Sequence, residues 1–183
     1  TAEVIYRRTM KRIELTKDHS YVDLYSGVGG LALQGASKAG WTIGIEEILG
    51  AVNRAQESAR LNGLTAEFRA EQVIDALPDL KRRLGHRQPV ITVNPARRGL
   101  EDGVIDGIID LKPARLAYVS CNPFSLTRDL ARFREAGWSI GNIELFDMFP
   151  NTPHVESLVT LEPPGVMPVK AMRPPKRRVV RKK

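Results

Sequence analysis

Cys121 is the first candidate for a nucleophile, because it is the only cysteine among the 183 residues. It follows the apolar run at residues 116–119 and precedes Asn122-Pro123, a pair that turns the chain. A lone cysteine usually packs as a small, inert hydrophobe. At the carboxyl end of a strand in an α/β sheet, however, it lies at the edge where such sheets bind ligands. Its reactivity therefore depends on what else the chain brings to that edge.

Glu156 is the carboxylate that could act as a base beside Cys121. Residues 138–146 and 155–161 are predicted as the last two strands, and the loop between them carries no helix, so the two should pair antiparallel. An antiparallel final strand begins at the edge where its parallel neighbours end. Cys121 and Glu156 are therefore expected to face one another across that edge.

A glycine loop between a strand and a helix predicts a cofactor site at the same edge. The loop carries Gly27, Gly29 and Gly30 and directly follows the strand predicted at residues 21–25. Glycines permit a tight turn and a close approach of the backbone to a ligand, and the helix that follows offers free N–H groups. No Gly-Lys-Ser/Thr follows the loop, which argues against a phosphate-binding P-loop.

Glu46 ends the second predicted strand, about 20 residues after the glycine loop. An acid at this place suits the ribose hydroxyls of a nucleoside cofactor, and both NAD and S-adenosylmethionine have them. The third position of the dinucleotide fingerprint is Ala32 rather than glycine, which favours S-adenosylmethionine.

Polar residues also follow the third and fourth predicted strands. Glu71 lies where an acid often contacts adenine, and Asn94 opens the polar segment after a strand whose apolar character predicts a central position. Arg97 and Arg98, in the same segment, are candidates for contacts with phosphate groups.

The elements alternate as in an α/β fold with a mostly parallel seven-stranded sheet, an antiparallel last strand and helices on both faces. We expect an N-terminal helix within residues 1–18, one domain over 19–163 and a basic, proline-rich, flexible tail over 164–183. Pro78 is expected to interrupt its helix. Helices are predicted at residues 1–15, 31–39, 48–61, 72–84, 103–111 and 124–136, and strands at 21–25, 41–46, 65–69, 90–93, 115–119, 138–146 and 155–161.

The net charge of +7 comes from the tail. Residues 166–183 contain eight basic residues and no acid, which leaves 20 basic against 21 acidic residues in the rest of the chain. Such a tail is typical of an arm that contacts phosphates. No apolar run is long enough to span a membrane, and one cysteine excludes both an internal disulfide and a cysteine-rich metal or iron–sulfur site in this chain. A cytoplasmic location is expected.

The motifs together resemble the catalytic domain of the RNA 5-methyluridine methyltransferases, class I enzymes that use S-adenosylmethionine. The resemblance runs in order from residue 21 to residue 161. Its most specific part is the cysteine motif at residues 118–123 together with the final motif, which spans residues 146–150 and 154–156. The matching segments are Asp23-Leu24-Tyr25-Ser26-Gly27-Val28-Gly29-Gly30, Gly44-Ile45-Glu46, Asn94-Pro95-Ala96-Arg97-Arg98-Gly99, Tyr118-Val119-Ser120-Cys121-Asn122-Pro123, Phe146-Asp147-Met148-Phe149-Pro150 and His154-Val155-Glu156.

The resemblance implies that Cys121 is the nucleophile, that Glu156 is the base, and that Tyr25, Gly30, Glu46 and Asn94 lie at the cofactor. It implies RNA as the partner, ribosomal rather than transfer RNA, and a monomer without metal. The family usually has proline in place of Ala96 and often aspartate in place of Asn94. Full-length members carry further domains upstream, so this chain is expected to be the catalytic domain alone.

Two other interpretations remain open from the residues, and a third is disfavoured. Asn94-Pro95 is similar to the start of the motif of adenine N6 methyltransferases, although Arg97 stands where that motif has an aromatic residue. A 5-methylcytosine enzyme normally has a second cysteine in the fourth-strand motif, which residues 94–99 lack. A non-catalytic RNA-binding remnant would account for the basic tail.

Overall fold

Six helices and eight strands alternate along the residues that the computed structural model describes, which are 2–148 and 155–165. The helices are α1 (Ala2–Ile13), α2 (Gly30–Ala36), α3 (Leu49–Leu61), α4 (Val73–Leu84), α5 (Val104–Asp110) and α6 (Pro123–Glu135). The strands are β1 (Ser20–Leu24), β2 (Trp41–Glu46), β3 (Glu67–Ala70), β4 (Val90–Val93), β5 (Arg115–Ser120), β6 (Ser139–Ile140), β7 (Glu144–Phe146) and β8 (Glu156–Glu162).

One mixed sheet carries all eight strands in the order β3-β2-β1-β4-β5-β8-β6, and β7 also pairs with β8. Strands β1 to β5 run parallel, and β8 lies antiparallel to β5. The predicted α/β class and the antiparallel last strand are confirmed. The carboxyl ends of β1, β2, β4 and β5 and the start of β8 therefore share one edge, as the sequence predicted.

Two apolar layers cover the faces of the sheet, because successive side chains of a strand point to opposite sides. On β5, Leu116 and Tyr118 pack in the layer that α4, α5 and α6 complete, whereas Ala117 and Val119 pack with α1 and α2. Leu158 of β8 belongs to the second layer. All four residues of β4 are buried, in agreement with the predicted central position.

The strand predicted at residues 138–146 is two short strands instead, so the sheet has eight strands rather than seven. Ile140 of β6 pairs with Leu161, and Gly141 N–H donates to the Thr160 carbonyl (2.8 Å). At β7, Glu144 pairs with Leu158, which is a shift of one residue in register. The connection from β6 to β7 is therefore one residue longer than the stretch of β8 that it faces, as in a β-bulge. A bulge of this kind bends the strand that carries the extra residue.

The expected interruption at Pro78 is wrong, because α4 continues through it from Val73 to Leu84. Proline costs the helix one backbone hydrogen bond. Leu77, Leu80 and Leu84 are buried on the same face of α4, and this packing holds the helix together across the proline.

Helix α1 is fastened to the antiparallel edge by charged residues. Arg12 donates to Glu144 (2.8 Å) and to the Asn142 carbonyl (2.6 Å), and Arg8 pairs with Glu144 (3.2 Å). Its buried residues Ile5 and Ile13 join the apolar layer below. Among the described residues, no helix has the length and apolar character that crossing a membrane requires.

Candidate active site

The loop between β1 and α2 is held in a left-handed conformation at several points. Tyr25, Gly27 and Gly29 have φ angles of 60°, 55° and 85°. Gly27 N–H donates to Glu46 Oε2 (2.9 Å), and Ile48 N–H donates to Glu46 Oε1 (3.0 Å). Glu46 thus ties the glycine loop to the end of β2 and keeps both elements at the sheet edge.

A cavity of about 380 Å³ opens beside this loop. Among its walls are Tyr25, Gly27, Gly30, Glu46 and Asn94, five of the seven residues predicted to contact a cofactor. The other lining residues are Tyr6, Ser26, Val28, Glu47, Ile48, Gln72, Val73, Ala96 and Glu101.

The walls of the cavity fit a nucleoside cofactor. A Cβ atom built on Gly27 would meet no atom within 4 Å, so the backbone there faces open space. The buried Ser26 hydroxyl has no hydrogen-bond partner among the described residues. Each Glu46 oxygen accepts one backbone N–H and keeps a lone pair for a ribose hydroxyl. The cavity thus offers a glycine-lined wall and a carboxylate.

Gly29 and Glu71 are not among the residues that line the cavity. Gly29 caps the start of α2, and a Cβ there would come within 3.0 Å of Ala55 and Phe68. Glu71 forms an ion pair with Arg69 (2.5 Å). The neighbouring Gln72 reaches the cavity instead, and a cofactor contact by Glu71 stays a prediction.

Tyr6 is a wall residue that the sequence did not indicate. A Cβ on Gly30 would lie 2.6 Å from the Tyr6 ring, so the glycine lets α1 pack closely over the loop. Burial raises the Tyr6 pKa, and the charges of Asp23 and Glu156 raise it further. Tyr6 therefore lines the cavity and is near enough to Glu156 to be affected by its charge. No local pattern predicts this, because α1 and β8 are brought together only by the fold.

Asp23 is buried beneath the glycine loop and organises it. It accepts hydrogen bonds from Ala32 N–H (2.9 Å) and from the Thr92 hydroxyl (2.5 Å), which also contacts Tyr21 Oη (2.7 Å). Desolvation raises the Asp23 pKa to about 7, although both hydrogen bonds act in the opposite direction. The residue links β1, β4 and α2 and lies too deep to touch a substrate.

Cys121 directly follows β5, and Glu156 is the first residue of β8, the strand that pairs with β5. Ser120 of β5 pairs with Ser157 of β8 in the last pair of this ladder, so Cys121 and Glu156 are the next residues on the two strands at the same edge. The Cys121 side chain is partly exposed, as a nucleophile must be. Burial raises the pKa of the Glu156 carboxyl.

The loop after β4 is fastened to α6 through Asp129. This buried carboxylate accepts hydrogen bonds at Oδ2 from Leu100 N–H (2.8 Å) and from the Tyr118 hydroxyl (2.6 Å). Gly99 has a φ of 80°, and a Cβ there would come within 2.6 Å of the same oxygen. These contacts of Asp129 fix the position of the loop that carries Asn94, Arg97 and Arg98, which is called the braced loop below.

Both arginines predicted to contact RNA are exposed on this braced loop. Asn122 Nδ2 donates to the Arg97 carbonyl (2.8 Å), and Arg128 donates to the Arg98 carbonyl (2.9 Å). The Arg98 side chain pairs with Glu101. The Arg97 side chain takes part in no ion pair among the described residues, so its charge is available for a ligand.

The sheet order, the glycine loop and the acid at the end of β2 define a class I methyltransferase fold. A sequence profile of the tRNA (uracil-5-)-methyltransferase family matches residues 7–163. The chain belongs to this family, and S-adenosylmethionine is the cofactor of its class.

Curated relatives of similar sequence are described as RNA methyltransferases. An uncharacterized RNA methyltransferase of Lactobacillus johnsonii is 36% identical over 159 residues, which is 86% of this chain and 35% of that protein. Another from Geobacter sulfurreducens is 38% identical over 161 residues, or 87% of this chain and 32% of that protein. The chain thus spans about a third of the length of the curated relatives that it matches.

Solved structures agree with the family assignment. The tRNA (uracil-54, C5)-methyltransferase of Pyrococcus abyssi, solved in complex with S-adenosyl-L-homocysteine, superimposes with a TM-score of 0.67 at 28% identity. The match covers 86% of this chain and 37% of that chain. An rRNA methylase of Streptococcus thermophilus gives a TM-score of 0.66 at 14% identity over 87% of this chain and 95% of that one, which supports the fold alone.

Proposed function

We propose that this chain transfers a methyl group from S-adenosylmethionine to C5 of a uridine in RNA, through a covalent bond between Cys121 and C6 of the base. The register of β5 against β8 carries the proposal, because it brings one thiol and one half-buried carboxylate to adjoining strand ends. The cavity beside the glycine loop lies at the same edge.

The chemistry requires these two groups. Uracil C5 is a weak nucleophile, and addition of the Cys121 thiolate at C6 places an enolate in the ring that activates C5. When bound in the cavity, S-adenosylmethionine would supply the methyl group as an electrophile, with S-adenosylhomocysteine as the leaving group. The Glu156 carboxylate then removes the proton from C5, and the C6–S bond breaks to release the thiolate and the methylated base.

The site residues have separate tasks in this scheme. Glu46, Tyr25 and Asn94 would hold the cofactor, and Gly27 lets its backbone approach closely. A uridine within a paired or stacked RNA must be flipped out before Cys121 can reach C6. Arg97, on the braced loop, is proposed to bind phosphate beside the flipped base.

Trapping with 5-fluorouridine tests the mechanism. Fluorine at C5 cannot be removed as a proton, so RNA that contains it should remain bound to Cys121 after methyl transfer. We expect a covalent complex on a denaturing gel with wild-type protein and cofactor, and no such complex with Cys121→Ala. Full-rate methylation of ordinary uridine by Cys121→Ala would rule the mechanism out.

The same assay addresses the class of RNA. The sequence resemblance favours ribosomal RNA, whereas the Pyrococcus abyssi enzyme acts on transfer RNA. Presenting both as 5-fluorouridine transcripts, with mass mapping of the trapped nucleotide, identifies the substrate. A chain that binds S-adenosylhomocysteine but traps neither RNA would favour the non-catalytic alternative.

A further inference from the structure

Phe124 is a large aromatic side chain that is almost fully exposed to solvent. It is 85% exposed, whereas the other large hydrophobic side chains exposed among the described residues are aliphatic and range from 37% to 68%. It lies in the first turn of α6, three residues after Cys121. Its backbone is fixed, because Phe124 N–H donates to the Asn122 side chain (3.0 Å). An aromatic ring is thus presented to solvent from a fixed backbone position, three residues along the chain from the candidate nucleophile.

Two arginines belong to the segments next to Phe124, the loop after β4 and helix α6. The amide of Asn122 joins Phe124 to Arg97, because its oxygen accepts from Phe124 N–H and its nitrogen donates to the Arg97 carbonyl (2.8 Å). Arg128 lies four residues after Phe124 on α6, and residues so spaced share a helix face. The Arg128 guanidinium pairs with Asp129 (2.7 Å). The patch of Phe124, Arg97 and Arg128 therefore combines one apolar ring with the charge of Arg97, which is unpaired among the described residues.

We propose that Phe124 is a stacking platform for the RNA base next to the target uridine, and that Arg97 binds the phosphate between the two nucleotides. The proposal deepens the proposed function and rests on it. Flipping a uridine towards Cys121 removes a stacking partner from its neighbour. An aromatic face can replace that partner for any base, and a guanidinium suits the adjacent phosphate.

The charge of the patch favours RNA over a protein partner. Phe124 is a single ring and not part of a broad apolar surface, and interfaces that hold proteins usually bury a larger apolar core. A single aromatic ring with cations is the arrangement by which single-stranded nucleic acid is bound. Phe124 follows Cys121 by only three residues, which suits a contact with a neighbouring nucleotide.

Binding and base stacking can be measured together with a fluorescent RNA. The probe is a single strand of roughly twelve nucleotides, within the usual site size, with one uridine flanked by 2-aminopurine. The full 183-residue chain carries Cys121→Ala, so that no covalent step contributes. Stacking on Phe124 should quench the 2-aminopurine, and Phe124→Ala should restore its emission and raise Kd on the order of 5- to 150-fold.

Matched variants separate this contact from a general effect. Phe124→Trp should keep both the quenching and the affinity, and Leu61→Ala, at another exposed apolar residue, should change neither. Arg97→Ala should make the salt dependence shallower by about 0.7 in the log–log slope, the effect of one phosphate on a single strand. Arg134→Ala, at the far end of α6, is the charge control.

The outcomes distinguish the two proposals. If Phe124→Ala binds as tightly as its parent and leaves the probe quenched, or if the parent does not bind the probe, the stacking platform is refuted. If wild-type protein forms no adduct with 5-fluorouridine RNA while binding and quenching still depend on Phe124, the proposed reaction falls and the RNA contact stands.

Discussion

As the proposed base, Glu156 meets two opposing demands at the scale of a single residue. A base must be ionised to accept a proton, yet partial burial disfavours its charge and raises its pKa above the usual 4.5. A carboxylate with a raised pKa is the stronger base, and it becomes protonated at a higher pH. Loss of the C5 proton should therefore slow as the pH falls through this raised pKa.

The release step isolates that titration. In a preformed adduct the Cys121 sulfur is already bonded to C6, so only the base needs to ionise for release. Single-turnover release of methylated RNA should fall at acid pH with a midpoint above 4.5, and Glu156→Gln should accumulate the adduct at every pH. Asp147→Asn, at an exposed residue near the same edge, is the control. A midpoint that survives in Glu156→Gln would assign the titration to another group.

Tyr6 leads to a prediction about the cofactor cavity. Its ring forms part of the wall and lies against Gly30. Tyr6→Ala removes that apolar wall and should weaken S-adenosylhomocysteine roughly tenfold, the equivalent of about 1.4 kcal/mol. Tyr6→Phe should bind as wild type does, because it keeps the ring. Titration calorimetry measures both, and equal weakening by the two variants would mean that the hydroxyl, not the ring, matters.

How far the sequence predicts single residues depends on their separation along the chain. Gly27 and Glu46 were predictable because the strand–loop–helix unit and the next strand end have fixed spacing. Cys121 and Glu156 required the topology as well, since one antiparallel strand decides whether they meet. Tyr6 escaped prediction because α1 precedes the sheet and its register against Gly30 is a matter of tertiary packing.

Asp129 holds the loop after β4 against α6, so its removal should lower the free energy of unfolding. Asp129→Ala would leave the Leu100 N–H and the Tyr118 hydroxyl buried without acceptors. At about 1–3 kcal/mol for each unsatisfied group, the free energy of unfolding should fall by roughly 2–6 kcal/mol in urea titrations. Asp110→Ala breaks only an exposed pair with Lys81 and should cost less than about 1 kcal/mol. Equal losses in the two variants would contradict the brace.

Elements were predictable where their patterns are local and long, and less so at the antiparallel edge. Strand β2 has the predicted bounds, because apolar residues and turn signals delimit it on both sides. The bulge between β6 and β7 depends on how Gly141 meets Thr160, some twenty residues away. Pro78 argued for a break, but the burial of Leu80 and Leu84 outweighs one lost hydrogen bond.

At the scale of the whole molecule, positive charge is distributed unevenly. Residues 166–183, outside the described part of the structure, carry eight basic residues, whereas the rest of the chain is close to neutral. The catalytic fold therefore offers RNA only local cations such as Arg97. General attraction to the phosphate backbone, which needs many charges, is expected to come from the tail.

Deletion of residues 166–183 tests whether the tail supplies the general attraction to the phosphate backbone. Each phosphate neutralised on a single strand contributes about 0.7 to the slope of log affinity against log salt. The deletion should therefore weaken RNA binding most at low salt and make the slope shallower by several of these increments. S-adenosylhomocysteine binding and the stacking on Phe124 should persist, because both depend on residues before 166. An unchanged salt slope would place the electrostatic contact on the folded part of the chain, and substitution of Arg97 and Arg128 together should then abolish it.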